Sequence, residues 1–170
     1  MSVVYRISPY RFLMNRRIKA FAGSVSEGAK ILEIGAGPVS YKSLFRGSKV
    51  VSVDIVEGNN VDEIGDVTNL KYRSSVFDVI LCFNVLEHVY DYRKAVSEMY
   101  RVLKLGGCAA IIVPFLYPVH DPPGDFYRFT EYSLERMLSG FADVKIDPVV
   151  LLPFGIFRRF VLFYFVTARK

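Results

Sequence analysis

Two carboxylates and two glycines at particular spacings are the first residues in this chain that could do chemistry. The run Glu33-Ile34-Gly35-Ala36-Gly37-Pro38 places Gly35 and Gly37 directly after an apolar stretch. Neither has a side chain, so backbone amides there can approach a ligand closely and the turn can take positive φ. Pro38 suits the first turn of a following helix. A Gly-x-Gly alone also fits a tight structural turn. Asp54 adds a second feature, because it ends the next apolar run 17 residues beyond Gly37. An acidic side chain there can accept both hydroxyl hydrogens of a ribose, and open parallel sheets bind ligands beyond their strand ends. A nucleoside cofactor is the expectation. The third glycine of a dinucleotide fingerprint would fall at position 40, which is Ser40, and this counts against NAD.

The elements that must hold these residues alternate in type. Lys30 to Ile34, Lys49 to Val53, Phe77 to Phe83 and Cys108 to Val113 are short apolar runs of the kind that form buried parallel strands. Asp91 can cap a helix whose positions Ala95, Val96, Met99, Val102 and Leu103 share one face, with Gly106 and Gly107 to stop it. Thr130 can cap another, through Leu134, Met137 and Leu138 to Gly140. Tyr10 to Phe21 reads as an amphipathic leading helix, and Val144 to Val150 with Val161 to Thr167 as two closing strands. Strands alternating with helices predict an α/β fold with a mainly parallel, doubly wound sheet and helices on both faces.

The chain has 170 residues, which suits a single domain over 1–170. Apolar residues make up 52% of it, with 14 Phe and 11 Tyr, so the disordered class is excluded. Cys82 and Cys108 lie in apolar runs with no secretory leader ahead of them, which predicts core packing, a reducing compartment and, by default, the cytoplasm. The net charge of +5 is uneven: Arg6, Arg11, Arg16, Arg17 and Lys19 near the start, and Arg158, Arg159, Arg169 and Lys170 near the end, flank a net acidic middle. Basic ends could meet an anionic membrane or nucleic acid, or be solvated element ends. Val149 to Phe157 and Phe160 to Ala168 are too short to cross a bilayer, which needs about 20 apolar residues.

The glycine loop resembles the first motif of class I S-adenosylmethionine-dependent methyltransferases, with Glu33, Gly35 and Gly37 at the matching positions and Val39 where the family has a third glycine. The likeness extends over nearly the whole chain. Gly65-Asp66-Val67 resembles the adenine-facing segment, and Phe77 to Pro114 resembles the later motifs, including Asn84-Val85-Leu86-Glu87-His88-Val89. Pro114 to Thr130 is similar to a type 11 subgroup often associated with surface-polysaccharide and other cell-envelope pathways. The resemblance implies a seven-stranded Rossmann-like methyltransferase fold, S-adenosylmethionine as donor and S-adenosylhomocysteine as product. It implies donor contacts at Glu33, Gly35, Ala36, Gly37, Asp54, Ile55, Asp66, Val67, Asn84, Val85 and His88. Glu33 would face the methionine amino group; as a buried carboxylate it needs partners in any case. Asp66 could equally belong to a solvated turn. His88 fits an ordering role in its loop better than proton exchange.

Methyl transfer from a sulfonium requires chiefly that nucleophile, methyl carbon and sulfur lie in line, a positioning effect worth about 7–11 kcal/mol. A base is needed only to take a proton from an oxygen or nitrogen acceptor. Candidates fall in the loop after the fourth long strand: His120 as base, because histidine ordinarily titrates near neutral pH, with Tyr127 and Arg128 beside it. His120 and Asp121 could instead pin the Pro122-Pro123-Gly124 turn, and Arg128 could clamp an anionic acceptor or pair with Asp125. No Cys/His cluster or acidic constellation predicts a metal. About ten residues, Leu151 to Phe160, join the closing strands, which leaves a shallow site open to a large acceptor. The expected enzyme methylates an oxygen or nitrogen of a small-molecule, glycan or lipid-linked acceptor; the alternatives are a nucleic-acid methyltransferase and a non-catalytic cofactor-binding module.

Overall fold

The computed structural model describes residues 8–37, 39–150 and 160–170. Its strands are β1 (Lys30–Ile34), β2 (Lys49–Asp54), β3 (Glu63–Ile64), β4 (Phe77–Phe83), β5 (Leu103–Pro114), β6 (Ala142–Val150) and β7 (Val161–Arg169). They form one seven-stranded sheet in the order β3-β2-β1-β4-β5-β7-β6. The first five run parallel, and β7 is antiparallel to both of its neighbours. Ile80 to Cys82 of β4 and Ala109 to Val113 of β5 are wholly buried, as central parallel strands covered on both faces must be. Pro148 sits in β6, at the sheet edge where a missing amide is tolerated.

Helices cover both faces. Ser8 accepts the Arg11 amide at 3.2 Å to start α1 (Pro9–Ala22), with Pro9 in its first turn. Its Met14 and Ile18 pack with Ile31, Leu81, Ile112 and Phe163. On the other face Asp91 caps α2 (Tyr92–Val102) by accepting the Lys94 amide at 3.1 Å, and Thr130 caps α3 (Glu131–Met137) through the Ser133 amide at 3.3 Å. Ala95, Met99 and Leu134 then pack against Leu32, Ile80 and Ile111.

Three expectations change. Gly106 and Gly107 do not end a helix: α2 stops at Val102, and both glycines lie inside β5. The pairing of β5 with β4 slips there, between Phe77↔Leu103 and Val79↔Cys108. Gly106 takes φ +77°, and a Cβ on Gly107 would meet the carbonyl oxygens of Asp78 and Lys104 at 2.9 Å, so both lack side chains for the sake of the slip. The Thr130 helix is shorter than expected and ends at Met137, with Leu138 as its cap. Among the described residues between Gly37 and β2 there is a 3-10 turn at Lys42–Leu44 and no α-helix, because that segment is held by side-chain bonds instead. Pro38, Arg6, Arg158, Arg159 and the 151–159 connection lie outside the described residues. Both cysteines are free, Cys82 wholly buried and Cys108 partly so.

Candidate functional site

The β1 and β4 strands lie side by side while their onward connections lead to opposite halves of the sheet, which opens a crevice at their carboxyl ends. A cavity of about 740 Å³ fills it, within the roughly 300–1,000 Å³ of small-ligand sites. Gly35, Gly37, Asp54, Ile55, Asp66, Val67, Asn84, Val85 and His88 all line this cavity. Gly35 has φ +76°, donates its amide to the Val53 carbonyl at 2.8 Å, and leaves no room for a Cβ, which would sit 2.2 Å from Val85 Cγ2. Asp54 accepts the Gly37 amide on Oδ2 at 2.8 Å and the Val56 amide on Oδ1 at 3.1 Å. Each oxygen retains acceptor capacity for a further donor from the cavity. Asp66 accepts the Thr68 amide at 2.7 Å, a local turn whose side chain borders the same space.

A second cavity of about 270 Å³ adjoins the first and shares Ile34, Gly35, Asn84, His88 and Asp121 with it. Tyr10, Tyr41, Phe83, Tyr117 and His120 give it an aromatic wall, with Met14, and Arg11, Glu33 and Glu87 add charged groups. Glu33 borders it, 3% exposed, with Oε1 accepting the Tyr41 amide and Oε2 accepting the Ser40 and Ser52 hydroxyls, each at 2.6 Å. Its charge is thereby compensated by the loop it holds to β2. Asn84, at φ +53°, accepts the Tyr10 hydroxyl at 2.9 Å and donates to Met14 Sδ at 3.4 Å, so the leading helix closes this side. Burial, then the Glu87 carboxyl nearby, holds the Tyr10 hydroxyl above its ordinary range.

The 115–130 segment supplies the remaining wall. His88 Nδ1 lies 2.9 Å from the Gly124 carbonyl, and its Nε2 lies 3.0 Å from His120 Nε2. Asp125 accepts the His120 amide at 2.9 Å and sits 3.1 Å from His120 Nδ1. Arg128 takes both oxygens of Asp125, at 2.5 and 2.7 Å, and also donates to the Tyr127 and Pro118 carbonyls. That pairing holds the Asp125 carboxyl well below the usual carboxylate range. Tyr127 donates its hydroxyl to the Tyr90 carbonyl at 2.8 Å and stacks edge-on with Tyr92.

His120 therefore meets His88 and lines the smaller cavity only, whereas Tyr127 and Arg128 line neither cavity and brace the loop that carries it. Ala36 is 1% exposed and faces the protein interior. Glu87 is the residue that sequence reasoning passed over. It is wholly buried and neither carboxylate oxygen has a hydrogen-bond partner. Burial pushes its carboxyl up to about 8, with a weaker opposing pull from Arg128. A carboxylate between Leu86 and His88 in an otherwise apolar run was the available signal. One carboxylate oxygen of Glu87 and one ring nitrogen each of His88 and His120 all lie within 4.8 Å of one another, a cluster the sequence hides because His120 is 32 residues beyond His88.

Comparison with known proteins agrees with this geometry. Residues 32–111 match the family described as Methyltransferase domain. The chain is 32% identical over 145 residues to demethylmenaquinone methyltransferase of Paenarthrobacter aurescens, covering 78% of this chain and 56% of that protein. It is 26% identical over 146 residues to the ubiquinone/menaquinone biosynthesis C-methyltransferase UbiE of Haemophilus ducreyi, covering 74% and 56%. The chain thus spans little more than half the length of these curated relatives. Among solved structures, a SAM-dependent methyltransferase of Archaeoglobus fulgidus superposes with TM-score 0.72 at 18% identity, covering 97% of this chain and 96% of that one. The 1,6-didemethyltoxoflavin-N1-methyltransferase of Burkholderia thailandensis, with bound 1,6-didemethyltoxoflavin and S-adenosylhomocysteine, gives 0.69 at 24%, covering 91% and 77%.

Proposed function

We propose that this chain, which resembles S-adenosylmethionine-dependent methyltransferases in its matched family and in its fold, moves a methyl group from S-adenosylmethionine to a small aromatic acceptor carrying an ionisable hydroxyl. The observation that carries this reading is the shared wall: a large cavity lined by Asp54, Asp66 and Val67 meets a smaller one with aromatic side chains across Gly35, Asn84 and His88. The residues present fit the donor. Asp54 offers unused acceptor capacity to a ribose, the missing side chain at Gly35 lets the loop pack against Val85 in the cavity wall, and Ile55, Val67 and Val89 supply apolar walls for an adenine. S-adenosylmethionine supplies an electrophilic methyl on a sulfonium. The chain's own part is to hold the acceptor in line and to keep water from its nucleophile.

The curated relatives are named as C-methyltransferases of quinone synthesis or as demethylmenaquinone methyltransferases, and an N-methyltransferase shares the fold. Removing a hydroxyl proton from an aromatic ring raises the nucleophilicity of both the oxygen and the adjacent ring carbon. One deprotonation next to His120 therefore serves either outcome. Calorimetric titration with S-adenosylhomocysteine tests the donor half: one site per chain is expected, weakened at least about tenfold, or 1.4 kcal/mol, in Asp54→Ala. Absence of binding by the wild-type protein would remove the proposal. Transfer of tritiated methyl to a panel of phenols and quinols, set against glycans and RNA, tests the acceptor half.

A further inference from the structure

We propose that Glu87, His88 and His120 form a mononuclear site for a divalent transition-metal ion of the zinc type, open toward the aromatic cavity. The Gly124 carbonyl, 2.9 Å from His88 Nδ1, can only accept, so that nitrogen carries the hydrogen. His120 Nδ1 likewise faces only acceptors, Asp125 Oδ2 at 3.1 Å and the Pro118 carbonyl at 3.3 Å. With both hydrogens so placed, the two Nε2 atoms 3.0 Å apart are satisfied either by a second proton on one ring or by a metal ion that accepts both lone pairs.

The third group points the same way independently. Both Glu87 oxygens are buried and unpartnered, and Oε1 lies 4.0 Å from His88 Nε2. A buried carboxylate without donors is costly unless it takes up a proton or meets a cation, and a metal ion bound here would keep it ionised. Two imidazoles and one carboxylate within 4.8 Å of one another are the ligand set of catalytic zinc and related sites, which keep one or more positions free. The supporting contacts match as well. Ligating histidines usually donate their other nitrogen to a carbonyl or carboxylate, as His88 does to Gly124 and His120 to Asp125. Arg128 then fixes that carboxylate through both of its oxygens.

All three ligands border the 270 Å³ cavity, so the free coordination position faces the acceptor side. The role there rests on the function proposed above: the acceptor's hydroxyl oxygen binds the ion, releases its proton to water and is held as the oxyanion, with no change of oxidation state. The site itself does not depend on that role.

The test uses the full chain, freed of metal by chelator dialysis and titrated with Co²⁺ and with Zn²⁺. One ion per chain is expected, with visible Co²⁺ absorption bands displaced by Zn²⁺. Glu87→Gln and His120→Asn should each weaken binding at least about tenfold, the scale seen even for supporting groups. No stoichiometric binding by the wild type, or undiminished binding in both variants, overturns the site. Should Glu87→Gln fail to fold, His120→Asn, at a partly buried loop position, decides alone. S-adenosylhomocysteine titration of the same samples separates the two proposals. Donor binding without metal binding removes the ion only, and metal binding without donor binding removes the methyltransferase reading only.

Discussion

Replacing Glu33 by Gln should loosen the loop beside the donor cavity before it affects any ligand. Three donors converge on this carboxylate, and the Tyr41 amide cannot turn round to accept from a glutamine. Ser40 and Ser52 can turn to accept from the glutamine amide, but their own hydrogens then lose the buried acceptor they now have, at about 1–3 kcal/mol. For a chain of this size the melting temperature should fall by about 2–4 °C for each kcal/mol lost. A thermal melt equal to that of the wild type would show that the three bonds are not made. The residue types at this site were readable in advance: the glycine pair, Asp54 and the need of Glu33 for partners all follow from spacing and from the cost of buried charge. The partners themselves were not, because Ser40 and Ser52 are ordinary loop and strand residues until the chain folds. Glu87 escaped for a related reason, since a single acid beside apolar neighbours looks the same whether exposed or buried.

At the level of elements, α2 is held to the loop before β4 by charge as well as by packing. Glu98 accepts from Arg101 at 2.6 and 2.8 Å and from the Leu70 amide at 2.9 Å, while Arg101 donates onward to the Leu70 and Tyr72 carbonyls. The Arg101 guanidinium thereby holds the Glu98 carboxyl below its ordinary value. The folded state keeps the ionised form at pH values where the unfolded chain has already taken up a proton. Its contribution is therefore complete above the unfolded value of about 4.3 and disappears as pH falls through the lower folded value. Glu98→Gln should cost about 1 kcal/mol at pH 7 in urea unfolding, and the gap should narrow steadily below pH 4. A gap that stays constant down to pH 3 would contradict this account. The paired glycines after α2 carry a second expectation at this level. Gly107→Ala places a Cβ 2.9 Å from two backbone oxygens and should destabilise by about 1–3 kcal/mol in the same assay. Sequence periodicity located α2 correctly yet misread its end, because a glycine pair that stops a helix and one that lets a strand shift register look alike until β4 is seen beside it.

Across the whole molecule, the order of the sheet brings the chemistry to one edge. Alternating apolar runs and helical faces were enough to foresee a parallel, two-faced sheet, and the rule for such sheets then located the crevice. What alternation could not show is which distant segments close it: Tyr10 reaches Asn84 across 74 positions, and His120 reaches His88 across 32. Both contacts join the leading helix or the 115–130 loop to the end of β4, so a ligand spanning the two cavities touches segments far apart in the sequence. Ligand binding should accordingly stabilise the chain as a unit. At a hundred times its dissociation constant, S-adenosylhomocysteine should add about 2.7 kcal/mol, hence a rise of about 5–10 °C in the melting temperature. Asp54→Ala should lose most of that rise at the same ligand concentration, since its carboxylate borders the donor cavity and also anchors the Gly37 amide. Scanning calorimetry with and without ligand reads this directly. A wild-type transition that does not move under saturating ligand, in a protein whose Asp54→Ala variant melts identically, would mean that the crevice is a feature of the fold alone.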